Sequence, residues 1–329
     1  MSSASPPRHW PIWIAALCWA LAGCASAACA AVPSWLFPLN PPSAGGKTKD
    51  DATPLRLPGS PRKFTEAQLS DLYAAPDWHP ESHSPMPEIV ARGRAPVTFA
   101  CGYCHLPSGQ GRPENAALAG LPAAYIVQQV ADIKAGTRRS AWHGAPFLPV
   151  DLMRDLAANA DAADVFAAAE YFSAQQLQPR VTVLERERIP RLRAVGWVYA
   201  IDPRGGEERL GQRLLEWAPD FRRHELRDAE MRYIAFVPPG SVNRGRDIAM
   251  TGRRGLTQPC TGCHGDHLQG MGLIPPLAGR SPTYLLRQLV AFKTGDRAGV
   301  DAASMQTVVA KLRMPDMIAV AAYAARGEE

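Results

Sequence analysis

Outside its N-terminus the chain has no apolar run of membrane-spanning length, and the one there, Trp10 to Leu21, stops at twelve residues. A helix crossing the hydrocarbon core needs about 20 such residues, so a multi-span membrane protein is excluded. Lysine is scarce and is missing altogether from 180–259, where 16 arginines face 11 acidic residues. The chain also lacks basic segments interleaved with aromatics, which excludes nucleic acid as a partner. Runs such as Glu185-Arg186-Glu187-Arg188 predict instead a solvated, salt-bridged surface, with docking of an acidic partner as the other reading. Broad disorder is excluded because 46% of the residues are apolar and the net charge is only +5. The 31 prolines and 27 glycines exclude long unbroken helices and coiled coils. Cysteine is nearly absent from the body of the protein. Cys18, Cys24 and Cys29 lie near the N-terminus, and the other four fall into two short motifs, which leaves none spare there for catalysis.

The first 23 residues carry one charge, Arg8, then the apolar stretch, then small residues. This is the pattern of an export signal, so the mature protein is expected in the periplasm. Leu21-Ala22-Gly23-Cys24 resembles the bacterial lipobox, which implies cleavage before Cys24 and a lipid anchor on its thiol. Ordinary cleavage after Ala27 is the alternative. Residues 24–63 read as a Pro/Gly-rich linker, and from 32 onward their composition predicts a semi-extended tether without a core of its own.

What is there in place of spare cysteines is Cys101-Gly102-Tyr103-Cys104-His105 and Cys260-Thr261-Gly262-Cys263-His264. C-x-x-C-H is the attachment motif of haem c. Two thiols three residues apart on one helical turn reach the two vinyl groups on one side of a porphyrin, and the adjacent His lies beneath the iron. Two such motifs predict two covalently bound haem c groups, with His105 and His264 as proximal ligands. A thioredoxin-like pair would need a βαβ setting, and zinc would need the two pairs much closer than 159 residues. Structural disulfides are the remaining bland reading.

The motifs belong to a longer repeat. At an offset of 159, Leu118-Ala119-Gly120 matches Leu277-Ala278-Gly279, and Tyr125, Gln129, Lys134, Gly136 and Arg138 match Tyr284, Gln288, Lys293, Gly295 and Arg297. Beyond a seven-residue insertion the offset becomes 152, pairing Met153 with Met305, Asp164 with Asp316 and Tyr171 with Tyr323. A duplication of this length means two tandem domains. Helices are expected at 88–94, 122–135, around Met153 and at 161–174, and again at 241–251, 281–294, 302–312 and 315–326. Tyr125, Val130 and Ile133 form one apolar face, and Val165, Phe166, Tyr171 and Phe172 are core candidates. Between the repeats, Val181–Leu184, Val195–Ile201 and Tyr233–Val237 read as strands of a small β-rich insert, with Gly205-Gly206 as a turn. The fold is thus expected to be mainly α: 64–177 as the first haem domain, 178–240 as the insert, 241–329 as the second. Thr65 is placed to cap a short helix, and His79, His83 and Met86, of types that also ligate metals, read as surface loop residues or packing against the first domain.

Both repeats resemble class I cytochrome c domains, and the pair resembles the dihaem cytochromes of the c4 type. The resemblance implies His/Met axial ligation, with Met153 and Met305 as distal ligands. Met314 and Met317 are rivals in the second repeat, and His143 in the first. It also implies that a carbonyl after the haem motif holds the proximal His. Pro275-Pro276 fits that role in the second repeat, while Ala116-Ala117 in the first leaves the acceptor open. Tyr103, Tyr125 and Tyr284 are expected to line the haem pockets. The expected function is single-electron transfer between redox proteins, with a quinol-oxidising complex or a dehydrogenase on one side and a terminal oxidase or reductase on the other. The alternatives are a haem enzyme of the peroxidase or thiosulfate dehydrogenase type, or a cytochrome subunit of a periplasmic dehydrogenase.

Overall fold

The computed structural model describes Met1, residues 32–39 and residues 53–327. The export segment, Cys24 and the greater part of the 24–63 linker therefore lie outside the described residues, as do Cys18 and Cys29.

The tether expectation needs correction where 32–39 is described. Ser34–Leu36 make a 3-10 turn, and Leu36 and Phe37, 0% and 3% exposed, are inserted in the core formed by the C-terminal helices. Burying such side chains is worth about 1.5–3 kcal/mol each, which outweighs a Pro-rich composition. Further on, Leu55–Arg56 (β1) and Lys63–Phe64 (β2) pair antiparallel. Leu57 packs beside them with Trp78 and Leu226. Thr65 caps Glu66–Ser70 (α1) through a reciprocal box: its hydroxyl accepts from the Gln68 N–H, and the Gln68 side chain accepts from the Thr65 N–H.

The first repeat supplies Glu88–Ala91 (α2), Cys101–His105 (α3), Ala123–Lys134 (α4), Leu148–Asn159 (α5) and Ala162–Ser173 (α6). α4 ends at Lys134, two residues before Gly136, which takes φ +71°, a conformation that favours glycine. Ile89, Val90, Leu121, Ile126, Ala169, Tyr171 and Phe172 form the core of this part. Phe166 does not join it: it stands 59% exposed, off the face that Ala169 and Phe172 bury.

The insert comprises Val181–Glu185 (β3), Arg188–Pro190 (β4), Leu192–Val195 (β5), Val198–Ile201 (β6), Glu207–Arg209 (β7), Leu215–Trp217 (β8), the short helix Phe221–Glu225 (α7) and Tyr233–Val237 (β9). Five strands form one sheet in the order β3-β9-β8-β6-β5, and β4 pairs with β7. The apolar stretch 195–201 is not one strand, as its composition implied. Gly196 and Trp197 take φ +57° and +62°, turning the chain back so that Val195 pairs with Val198 in a two-residue hairpin.

The second repeat follows as Ser241–Thr251 (α8), Thr261–His264 (α9), Pro282–Thr294 (α10), Ala302–Val309 (α11) and Met314–Arg326 (α12). Its core is larger than that of the first repeat and takes in Ile248, Leu286, Val290, Leu312, Ile318 and Val320. α8 crosses α12 at Gly245, where a Cβ atom would run into the Ala319 carbonyl oxygen. The fold is mainly α, with a small sheet between two helical repeats.

The insert is braced on both sides. Arg180 donates to the Gln110 and Gly111 carbonyls of the first repeat, at 2.8 and 2.6 Å. Arg227 lies 3.7 Å from the centroid of the Tyr103 ring and donates to the Tyr103 carbonyl. Toward the second repeat, the buried Glu216 accepts from the Ser281 hydroxyl at 2.6 Å and the Thr283 N–H at 3.2 Å. The arginine excess of 180–259 is therefore only partly the solvated surface expected. Pairs such as Arg188–Glu207 are exposed, whereas Arg180 is buried.

Candidate haem centres

Each C-x-x-C-H pentapeptide begins at or next to the start of a short helix, which brings its two thiols round one turn. All four cysteines are free thiols. Burial pushes the Cys101 thiol up to about 12 and the Cys260 thiol up to about 11. Thiols raised in this way are poor free nucleophiles at neutral pH.

The two histidines are held alike. The ring nitrogen Nδ1 of His105 is 2.8 Å from the Ala116 carbonyl, and that of His264 is 2.8 Å from the Pro275 carbonyl. With Nδ1–H donating to a carbonyl, Nε2 keeps its lone pair for a metal, and the ring orientation is fixed. Burial lowers the pKa of both, favouring the neutral imidazole that ligation requires. Ala116 and Pro275 are themselves 159 residues apart, so the duplication carried the answer for the first repeat, whose acceptor residue type alone did not identify.

Beside the first motif lies a cavity of about 490 Å³. Cys101, Cys104, His105 and Met153 all line it, as does His143. Most of its wall is apolar, and polar groups are few, the pattern of a cofactor site. His143 also faces Asp296, with Nε2 3.1 Å from the carboxylate. Tyr125 and Tyr284 line the cavity as expected, while Tyr103 packs under Arg227. Met305 is half-buried on α11, packed against the same core as Cys260. Of its rivals, Met317 is buried in that core and Met314 packs at its edge.

Three residues of the first cavity had no signal in the sequence. Phe37 comes from the stretch read as tether. Trp142 stacks on Phe37, with centroids 5.7 Å apart. Arg287 arrives from α10 of the other repeat. It donates to the Leu36 and Pro113 carbonyls at 2.8 and 3.0 Å, yet its Nη2 is buried without a hydrogen-bond partner among the described residues. An unpaired buried guanidinium nitrogen is costly. On the wall of a haem-sized cavity it is complementary to a propionate, so the residues present fit a haem group.

The flagged residues of 64–87 lie elsewhere. His83 bonds to Asp77 and to the Tyr171 hydroxyl, and His79 bonds to Asp228 in the insert. His79 is therefore neither a surface loop residue nor packing on the first repeat.

No profile of a known protein family matches the chain. Cytochrome c4 of Azotobacter vinelandii is 26% identical over 249 residues, covering 74% of this chain and 90% of that protein. Cytochrome c-554(547) of Halothiobacillus neapolitanus is 36% identical over 85 residues, 23% of this chain and 93% of its own length. Among solved structures, reduced recombinant cytochrome c4 from Pseudomonas stutzeri is 24% identical, covering 69% of this chain and 93% of its own, with a TM-score of 0.44. A thiosulfate dehydrogenase from Marichromatium purpuratum is 26% identical, covering 73% of this chain and 39% of its own, with a TM-score of 0.48. The chain belongs to the class I c-type cytochromes. Within that class it groups with the dihaem cytochromes c4, an electron-transfer protein carrying two covalently bound haem c groups.

Proposed function

We propose that this is an exported dihaem electron carrier in which both irons are held by protein on both faces, His105 with Met153 and His264 with Met305. The observation that carries this reading is the matched pair of imidazoles. Each has Nδ1 fixed 2.8 Å from a carbonyl, and each follows two free thiols. In this reading 1–23 is the export signal, Cys24 bears a lipid, and the haem domains are 64–177 and 241–329 around an insert at 178–240. Its partners are redox proteins of the periplasm, a quinol-oxidising complex or a dehydrogenase on one side and a terminal oxidase or reductase on the other.

Haem c, when bound, supplies a one-electron iron couple. The residues of this chain do the rest. The four thiols anchor the group covalently, so that it is not lost outside the cytoplasm. The Ala116 and Pro275 carbonyls fix which imidazole nitrogen faces the metal. Met153 and Met305 would supply the second protein ligand to each group, and a thioether in that role would favour the reduced state. Phe37, Phe147 and Trp142 keep water from the first cavity, while Arg287 holds negative charge at its wall.

A redox titration with spectra, together with exposure of the reduced protein to carbon monoxide, tests the ligation. Two haems per chain, a Met–iron charge-transfer band and no fast carbon monoxide binding are expected. Met153→Leu and Met305→Leu should each lose about half of that band and open one site to carbon monoxide. Stoichiometric binding by the unsubstituted protein would overturn the carrier reading in favour of an enzyme with an open iron.

A further inference from the structure

His79 lies in the segment preceding the first repeat, 3% exposed, and meets the insert 149 residues further along the chain. Its Nε2 is 3.0 Å from Asp228 Oδ1, and the Asp228 side chain is fully buried. The same carboxylate accepts from the Glu230 N–H at 2.9 Å and from the Arg223 guanidinium, so its position is fixed. Next to it, the Trp78 indole N–H donates to the Leu226 carbonyl at 2.6 Å, which holds the backbone on both sides of the contact.

With Nε2–H committed to Asp228, Nδ1 presents a lone pair, and it has no hydrogen bond among the described residues. It faces two carboxylates instead: Glu81 Oε1 at 3.7 Å and Glu230 Oε1 at 3.8 Å, whose side chains are 64% and 61% exposed. Two carboxylates thus flank the one ring nitrogen. Asp228, Glu81 and Glu230 carry three negative charges, and Arg223 returns one, leaving a balance of −2. The two carboxylates lie a few tenths of an ångström farther from Nδ1 than the roughly 3.4 Å between tetrahedral ligands bound at about 2.1 Å. Exposed glutamates on rotatable stems can close that gap.

We propose that His79 Nδ1, Glu81 and Glu230 bind a divalent transition-metal ion of the zinc class, with Asp228 orienting the imidazole from behind. One imidazole and two carboxylates, open to solvent on the remaining side, are a donor set suited to such ions. A carboxylate on the far nitrogen of the ligating His is the usual way such a ring is aimed. The ion would staple the segment before the first repeat to the insert, independently of either haem.

Isothermal titration of the mature, haem-loaded protein with zinc chloride, after chelator treatment and dialysis, tests this. One site is expected, with the visible haem spectrum unchanged. The doubly substituted Glu81→Gln, Glu230→Gln protein alters only exposed side chains and should keep its fold and both haems. It should bind at least about tenfold more weakly, and should lose the zinc-dependent rise in melting temperature. Wild-type protein that takes up no zinc, or a double variant that binds equally well, would overturn the site.

Discussion

At the scale of single residues, the clearest functional device is an imidazole that must stay neutral. Besides the two haem histidines, His224 is buried, 2% exposed, with Nε2 2.8 Å from the Arg112 guanidinium and Nδ1 3.1 Å from the Tyr233 hydroxyl. Arg112 can only donate, so Nε2 accepts and Nδ1 carries the proton. Burial first, and then the charge of Arg112, hold the pKa of His224 well below its usual value. The sign of the linkage follows. In the unfolded chain this ring takes up a proton near pH ~6.5, while in the folded protein it resists doing so. Stability should therefore be complete above that pH and fall as the pH drops below it. Urea midpoints measured from about pH 7.5 to about pH 5 should fall less steeply for His224→Gln than for the parent. Parallel slopes would show that this ring contributes nothing to the acid limb.

At the scale of elements, the helices were legible because their apolar residues recur with helical spacing and the repeat reports each one twice. The sheet was less legible. Val195–Ile201 is apolar throughout, and nothing but Gly196 marks the reversal that divides it; its partner in the turn, Trp197, is a residue that seldom takes a positive φ. The packing of Leu36 and Phe37 was hidden for the opposite reason, since Pro-rich flanks mimic a tether and only tertiary contacts show the two side chains buried. The crossing of α8 and α12 gives the sharpest test at this scale. Gly245 touches the Ala319 carbonyl region so closely that even a methyl group must push the helices apart. Gly245→Ala gains helix propensity, yet overpacking of this kind costs about 1–3 kcal/mol and should prevail. Chemical denaturation followed at the second haem should show the loss. A neutral or stabilised variant would mean that the helices can slide apart freely.

At the scale of the whole molecule, the duplication has produced a reciprocal clamp. Arg138 of the first repeat donates to the Tyr284 hydroxyl at 2.8 Å and to Gln288 at 3.1 Å in the second. Arg297 of the second donates to the Tyr125 hydroxyl at 2.7 Å and to Gln129 at 2.8 Å in the first. The backbones at Arg138 and Arg297 meet in an antiparallel bridge, so equivalent residues face one another across the joint. The register of the repeat named these pairs, but which copy each arginine would serve was not readable, because a matched Tyr, Gln and Arg could equally have closed within one domain. Tyr125, Tyr284 and Arg138 also line the first cavity, so the clamp is continuous with the haem site. The insert braces the same joint from outside through Arg180 and Glu216. A buried hydrogen bond to a charged group contributes about 1.5–3 kcal/mol, and truncation leaves its partner unsatisfied. Arg138→Leu and Arg297→Leu should therefore each lower the unfolding midpoint. Each arginine also donates to the glutamine of its own repeat, Arg138 to Gln129 at 2.8 Å and Arg297 to Gln288 at 3.1 Å, so the two share both glutamines and their effects should be non-additive by about 0.5–3 kcal/mol. The double variant should go further and melt in two steps, one for each haem environment, where the parent melts in one. A single transition with strictly additive losses would show that the repeats are held together by the insert and their apolar contacts, with the arginines acting only within their own sites.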